Sequence, residues 1–140
     1  MTDEEKAAFE AALPALAAFK HTCGRDATPG FVAELYAARE FNLMLLKSAN
    51  APGADATDAN GKRYQVKYRS PDVLNIDLNN FDFDYIVLVN VDADYRLAGI
   101  WRLTVDRVRA MCVYRAKFQK HQVTQARFKD EALRCQGLTS

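Results

Sequence analysis

Hydrophobic and polar positions change their spacing several times along the chain, and these changes predict helices at both ends of a β-rich middle. A helical period predicts four helices: residues 1–22 with a capping box at Thr2, Pro29 to about Asn42, Thr104–Met111 and Thr124–Leu133. Alternating or continuously apolar runs predict strands over Leu43–Ser48, on each side of Asn60-Gly61, over Asp84–Val91 and over Tyr95–Leu103. This order predicts one α/β (α+β) domain, residues 1–140, in which a mixed central sheet with a β-hairpin is flanked by helices.

The turn at Asn60-Gly61 decides which side chains of the two hairpin strands face each other. A two-residue loop would set Asp55 opposite Val66, on the face away from Gln65 and Lys67. A three-residue loop that begins one residue earlier would set Asp55 opposite Gln65, with Lys67 one pleat further along the same face. The longer loop needs a final residue with positive φ, and a glycine stands there, so we predict the longer loop.

The strand after the turn, Lys62–Arg69, has two contrasting faces. Apolar side chains alternate with polar ones, which predicts that one face packs on the core and the other lines a basic cleft. The core face carries Tyr64, Val66 and Tyr68. The cleft face carries Arg63, Gln65, Lys67 and Arg69.

The helix from Pro29 has an apolar stripe that contains one carboxylate. The stripe consists of Phe31, Leu35, Ala38, Phe41 and Leu45. Glu34 falls inside it, whereas Glu40 points the opposite way. A carboxylate on an apolar face is costly unless something compensates its charge, and a metal ion or the Lys67 ammonium would do so. The alternative is a salt bridge, or a peripheral carboxylate that reaches the solvent.

Three further regions give less specific patterns. The N-terminal helix is interpreted as a covering helix or part of a dimer contact, and Pro14 is expected to bend it or split it in two. Its large apolar residues on one face are Phe9, Leu13 and Leu16. Ser70–Phe83 is expected to be an irregular surface connection, and Cys112–Gln119 fits either a helix or a strand.

The composition is that of an ordinary globular protein, with 49% hydrophobic and 26% charged residues in a chain of 140. The apolar runs are shorter than a membrane span, and the acidic, alanine-rich N-terminus has no signal-peptide layout, so we expect a cytoplasmic protein. Three cysteines without a CxxC motif predict reduced thiols in place of a disulfide scaffold. His21 and Cys23 are close in sequence, but no second pair accompanies them, which argues against structural zinc.

The net charge of +1 conceals an uneven distribution. Residues 62–69 carry four Lys or Arg and no acid, whereas residues 72–94 carry six Asp and no base. From residue 101 onward, nine Lys or Arg stand against three acids. A basic C-terminal third suits a polyanionic partner, although a solvated helical face explains the charge alone equally well.

An acid, then an acid or amide, one spacer and a lysine form the motif of the PD-(D/E)XK nucleases, the restriction-endonuclease-like superfamily. The sequence resembles this superfamily through Asp55, Gln65-Val66-Lys67 and, upstream on a helix, Glu34. The resemblance covers about residues 28–103 as an order of elements. Two positions depart from the usual motif, because Gln65 stands where an acid is most common and Ala54 stands where the proline would be.

The resemblance implies a metal-dependent endonuclease that hydrolyses phosphodiester bonds in nucleic acid, with DNA as the expected polymer and Mg²⁺ or Mn²⁺ as cofactor. Asp55 would be the central metal ligand, beside the amide oxygen of Gln65 and the backbone carbonyl of Val66. Glu34 would bind the metal directly or through a water. Because Gln65 carries no charge, metal binding is expected to be weak.

The resemblance also implies roles for the basic residues of the same strand. Lys67 would hold the attacking water and stabilise the charge that develops in the transition state. Arg63 and Arg69 would contact phosphates. A homodimer is expected if the enzyme cuts both strands of a duplex.

Two other functions remain open from the sequence. The first is a catalytically silent nuclease-like fold that binds nucleic acid or a protein through its basic face. The second is a small structural or toxin–antitoxin-type interaction protein whose contact is the N-terminal helix. The silent fold would bind without depending on a metal ion.

Overall fold

A computed structural model describes residues 1–46 and 54–138, with side chains described up to residue 136. Within these ranges the chain forms four helices: α1 (Asp3–Cys23), α2 (Pro29–Phe41), α3 (Val105–Met111) and α4 (Gln125–Leu138). The same ranges contain eight strands: β1 (Met44–Leu45), β2 (Ala56–Thr57), β3 (Arg63–Arg69), β4 (Asn75–Leu78), β5 (Tyr85–Val91), β6 (Leu97–Thr104), β7 (Val113–Arg115) and β8 (Lys120–Thr124). The predicted α+β class is therefore correct. The loop expected over residues 48–53 lies outside the described residues.

Threonine caps define where three of the helices begin. The hydroxyl of Thr2 accepts a hydrogen bond from the backbone N–H of Glu5, and Thr28 and Thr104 cap α2 and α3 in the same way. α1 continues through Pro14 as one helix of 21 residues, so the expected division into two helices is wrong. A proline removes one backbone hydrogen bond, and the alanine-rich turns on each side have high helix propensity.

The larger sheet has five strands in the order β1-β2-β3-β5-β6. β3 and β5 are parallel, and the other neighbours are antiparallel, so the sheet is mixed as predicted. α2 packs on one face of this sheet. The buried residues shared by α2 and this face are Ala33, Ala37, Ala56, Tyr64, Val66, Val87, Val89 and Val91.

A second sheet of three antiparallel strands, in the order β4-β8-β7, lies with α3 and α4 on the opposite side of β5 and β6. Its core consists of Ile76, Leu78, Phe83, Ile86, Leu88, Leu103, Val108, Val123, Phe128 and Ala132. β4 lies in the segment Ser70–Phe83, so the expectation of an irregular connection there is wrong. Ile76 and Leu78 are fully buried, and this short alternation was obscured in the sequence by the surrounding Asp and Asn residues.

The C-terminal elements follow the predicted order with shifted limits. Cys112–Gln119, which fitted either a helix or a strand, forms β7 and the turn that leads into β8. α4 extends beyond the predicted end at Leu133. The three cysteines are free thiols, and burial raises the pKa of Cys112 to about 11.

α1 has no buried residue. Its described ring contact with the rest of the chain is the edge-on packing of Phe19 against Phe31, with ring centroids 5.8 Å apart. The predicted apolar face stays exposed, since the accessible fractions of Phe9, Leu13 and Leu16 are 56%, 46% and 51%. In the described part of the chain, every helix is too short or too polar to cross a lipid bilayer.

Candidate active site

The β2–β3 turn has the predicted three-residue loop. The register pairs Ala56 with Tyr64, which leaves residues 59–61 as the loop and brings Asp55 beside Gln65. Gly61 has a φ of 78°, the left-handed conformation that the longer loop requires. This register is the local feature that builds the site, because a one-residue shift would send Asp55 to the other face.

The carboxylate of Asp55 lies at the edge of the sheet, just before β2 begins. Its Oδ2 accepts hydrogen bonds from the backbone N–H of Val66 at 2.8 Å and from the side-chain amide of Gln65 at 3.1 Å. Asp55 therefore supplies an acceptor to β3 one residue before β2 begins. The N–H and C=O of a strand residue point to the same side of the strand, so the Val66 carbonyl also faces this edge.

Gln65 presents its NH₂ group to Asp55. The resemblance implied that the amide oxygen would face the metal instead. A rotation of the amide by about 180° exchanges the two groups without moving the backbone. This hydrogen bond explains how an amide is accommodated next to a half-buried carboxylate.

Glu34 is buried on α2, with 8% of its surface accessible, while Glu40 on the same helix is exposed. The burial of Glu34 agrees with its predicted position on the apolar face. Its compensating cation is Arg25, whose Nη2 lies 3.1 Å from the Glu34 carboxylate. The guanidinium of Arg25 also lies 4.2 Å above the ring of Phe31, which holds it against the helix.

Arg25 was missed in the sequence. It lies in the loop between α1 and α2, just after Gly24, which ends α1 in a left-handed conformation. A single arginine in a loop has no spacing or periodicity that indicates its partner. The alternative of a salt bridge for Glu34 is therefore confirmed, with Arg25 as the partner in place of Lys67.

Burial is the main cause of the raised pKa values of the two carboxylates. Burial raises the pKa of Glu34, and the nearby charge of Asp55 raises it further, while Arg25 lowers it. Burial also raises the pKa of Asp55, against the opposing effects of the Val66 N–H, Lys67 and Arg25. Both acids therefore favour an additional positive charge in their neighbourhood.

Lys67 lies on the opposite face of β3 from the α2 core, as the alternation predicted. Burial lowers its pKa, and the positive charges of Arg69 and Lys120 lower it further, while Asp55 and Asp77 oppose this effect. Asp77 on β4 and Lys120 on β8 belong to the second sheet. Sequence reasoning missed both of them, because β4 was not recognised as a strand.

The two arginines of β3 lie in different surroundings. The guanidinium of Arg69 donates to the backbone carbonyls of Asn75 at 3.2 Å and Tyr68 at 2.7 Å, so it ties β4 to the end of β3. Arg63 is at the other end of β3, and its backbone N–H donates to the carboxylate of Asp84. Arg69 is therefore close to Lys67, and Arg63 is the more distant of the two.

The donors at this edge are oxygen atoms suited to a hard cation such as Mg²⁺. Among the described residues, no three His, Cys, Asp or Glu side chains form a metal-binding group. The carboxylates here are Glu34 and Asp55, and the remaining protein oxygens are the Gln65 amide and the Val66 carbonyl. These four oxygen-bearing groups are chemically compatible with a hard divalent cation.

No model of a known protein family matches the sequence, and no curated protein matches it significantly.

Proposed function

We propose that this chain is a metal-dependent endonuclease with a restriction-endonuclease-like core, acting on nucleic acid, with DNA as the expected polymer. The observation that carries the proposal is the position of Asp55. Its carboxylate is held by the Val66 N–H on β3, close enough to interact electrostatically with buried Glu34 on one side and with Lys67 on the other. Such an acid pair beside a desolvated lysine supports phosphodiester hydrolysis.

Glu34, Asp55 and the Val66 carbonyl would hold Mg²⁺ or Mn²⁺, with the Gln65 amide oxygen after rotation of its side chain. When bound, the cation supplies Lewis acidity to the phosphate and to the attacking water. The protein positions these ligands with the β2–β3 turn and with the Val66 N–H, which orients the Asp55 carboxylate. Arg25 partly neutralises Glu34 before the cation arrives.

Lys67 would orient the attacking water and stabilise the negative charge that develops on the phosphate. Its lowered pKa means that proton transfer at Nζ costs less than for an ordinary lysine. Arg69 and Lys120 are the positive neighbours that keep the pKa low, and they also make this part of the surface attractive to phosphate groups.

A cleavage assay on duplex DNA and on structured RNA, with Mg²⁺ or Mn²⁺ against EDTA, tests the proposal. We expect metal-dependent cleavage that falls by roughly 100-fold or more in Asp55→Asn and in Lys67→Met. The matched controls are Glu40→Gln and Lys62→Met, which change exposed residues of the same charge. If wild-type protein cuts neither polymer, or the two site variants cut like their controls, the catalytic assignment is wrong.

One observation favours a second function, the catalytically silent nuclease-like fold. Arg25 already pairs with Glu34 at 3.1 Å, so one carboxylate of the site is compensated without a metal ion. In that case the basic surface would bind nucleic acid, and EDTA would change neither binding nor stability. A measurement of stability with and without metal distinguishes the two functions, because only the nuclease is expected to be stabilised by the metal ion.

We also propose that the protein forms a homodimer through α1. The helix exposes an apolar stripe of Phe9, Leu13 and Leu16. Its first turn carries three acids, and its last turn carries Lys20 and His21. An antiparallel pair of α1 helices would bury the two stripes together and would bring each acidic end next to the basic end of its partner.

A further inference from the structure

The hairpin formed by β7 and β8 projects an unusually exposed set of residues from the second sheet. All residues from Val113 to Gln119 are exposed, and Tyr114 and Phe118 have accessible fractions of 54% and 58%. Large aromatic side chains at the end of a hairpin contribute nothing to the core. These exposed rings are available for contact with a ligand.

The segment of sequence that contains this hairpin is basic. Residues 107–129 carry seven Lys or Arg and no Asp or Glu: Arg107, Arg109, Arg115, Lys117, Lys120, Arg127 and Lys129. Arg115 is the last residue of β7, and Lys117 and Phe118 lie in the turn that follows it. Basic and aromatic side chains that alternate on one projection are suited to the phosphates and bases of a nucleic acid.

The tip is held in a defined shape. The backbone N–H of Phe118 donates to the carbonyl of Arg115 at 3.1 Å, and the turn ends with Gln119 in a left-handed conformation at φ 51°. At its base, the ring of His121 lies between Phe81 and Tyr114, with centroid distances of 4.7 and 5.0 Å. A fixed hairpin loses little conformational freedom on binding, which favours affinity.

The hairpin is adjacent to the candidate active site. β8 pairs with β4, where Gln122 donates to Asp77 at 2.7 Å, and Lys120 bonds to Asn79. Asp77 and Lys120 are the two residues of this sheet whose charges act on Lys67. A polymer bound along the hairpin would therefore pass the cleft face of β3.

We propose that the tip of the β7–β8 hairpin, residues 115–120, binds double-stranded DNA, with its turn at the major groove and Arg115 and Lys117 on the flanking phosphates. The major groove of B-DNA is wide enough for such a turn, whereas that of an RNA duplex is too narrow for side chains. Phe118 at the tip would contact base edges or open a base step. This inference deepens the proposed function and rests on it for the choice of nucleic acid as the partner.

Binding is measured in EDTA by fluorescence anisotropy, with a labelled DNA duplex, the corresponding single strand and an RNA duplex. We expect the DNA duplex to bind best, and the Kd to rise at least about tenfold in Arg115→Ala/Lys117→Ala, with the slope of log K against log salt reduced by about 2. The control Lys6→Ala/Arg96→Ala removes two exposed charges elsewhere and is expected to bind like wild type. Phe118→Ala is expected to weaken duplex binding without changing the salt slope.

Circular dichroism and thermal melting of each variant ensure that a loss of binding is not a loss of fold. The proposal is overturned if the hairpin variant binds the duplex like wild type, or if the single strand or the RNA duplex is preferred. Duplex binding that requires the hairpin, without any cleavage, would leave this inference standing and remove the proposed catalysis. Cleavage that is unaffected by the hairpin substitutions would support the proposed catalysis and would overturn the binding role of the hairpin.

Discussion

The side-chain amide of Gln65 donates a hydrogen bond of 3.1 Å to the carboxylate of Asp55. The same carboxylate oxygen accepts the backbone N–H of Val66 at 2.8 Å. A glutamate in place of Gln65 would lose this hydrogen bond and add a third negative charge beside Asp55 and Glu34. The amide thus stabilises the metal-free fold, at the expense of charge available to a cation.

Gln65→Glu is therefore expected to have opposite effects on the metal-free and metal-bound protein. Without metal at neutral pH, we expect the free energy of unfolding to fall by about 1–2 kcal/mol, because a hydrogen bond is replaced by repulsion. With millimolar Mg²⁺ or Mn²⁺, we expect the variant to gain more stability than wild type. Urea unfolding with and without metal measures both effects, with Gln119→Glu on an exposed turn as the control. Equal metal responses in the variant and wild type would contradict the assigned ligand set.

Metal binding is expected to depend on pH through the two buried acids. The raised pKa values of Glu34 and Asp55 mean that the folded protein binds protons in a pH range where the unfolded chain has already released them. Intrinsic stability from these groups therefore falls as the pH rises through the raised values. A divalent cation binds the deprotonated acids, so its stabilising effect is largest above those values and disappears as the pH falls through them.

Thermal melts with Mn²⁺ and with EDTA across this pH range measure the effect. A cation at ten times its Kd adds about 1.4 kcal/mol to the free energy of unfolding. Asp55→Asn is expected to abolish the shift while keeping the fold, since an Asn oxygen still accepts the Val66 N–H. Asp94→Asn, an exposed substitution, serves as the control. A metal-induced shift that persists in Asp55→Asn places the cation elsewhere, and the absence of any shift in wild type favours the silent fold.

The pH range in which the protein cleaves nucleic acid is expected to depend on the ionisable residues of the same site. On the acidic side, activity should fall at a higher pH than for ordinary carboxylates, because Asp55 and Glu34 become protonated early. On the alkaline side, it should fall below the ordinary lysine range, because burial lowers the pKa of Lys67. Initial rates of cleavage against pH measure both limits. Lys67→Arg should move the alkaline limit upward if Lys67 causes it, and an unchanged limit would show that it does not.

Substitution of the last residue of the β2–β3 turn is expected to lower the free energy of unfolding. Gly61 has a φ of 78°, so Gly61→Ala introduces strain of about 1 kcal/mol although no atom lies near the added methyl group. Gly30→Ala is the matched control, because Gly30 has equally open space and an ordinary helical position in α2. We expect the control to be neutral or slightly stabilising in denaturant unfolding. Equal effects of the two substitutions would exclude backbone conformation as the cause.

Self-association is expected to depend on the exposed stripe of α1. Leu13→Glu places a charge in the middle of the stripe. We expect it to raise the dissociation constant of the dimer by at least about tenfold. Ala11→Glu changes an exposed residue on the opposite side of α1 and tests whether any added charge has this effect. Sedimentation equilibrium measures the distribution. A wild-type monomer at high concentration would show that α1 does not pair with a second copy.

Local features of this protein could be predicted from the sequence because interactions between residues close in the chain determine them. The caps Thr2, Thr28 and Thr104 began helices as predicted, since a side-chain oxygen and an unpaired N–H three residues later suffice. The three-residue loop that ends at Gly61 set the register, and the register placed Asp55 beside Gln65. The buried run of β5 was equally clear, because a strand enclosed on both faces is apolar throughout.

Features that depend on contacts between distant parts of the chain could not be predicted from the sequence. β4 is only four residues long, and its Ile76 and Leu78 became recognisable as core only when β8 and α4 covered them. Neither the exposure of α1 nor the identity of its partner follows from its apolar stripe, because a stripe shows that a face can pack and not what it packs against.

Local sequence patterns were sufficient to predict the helix caps, the turn at Gly61 and the chemical types that meet at Asp55. The tertiary structure alone decided which cation pairs with Glu34, because Arg25 reaches it through the packing of a loop against α2. It also decided that Asp77 and Lys120 of the second sheet act on Lys67. Electrostatic interactions depend on distance and burial in three dimensions, and the spacing of residues along the chain determines neither for separate elements.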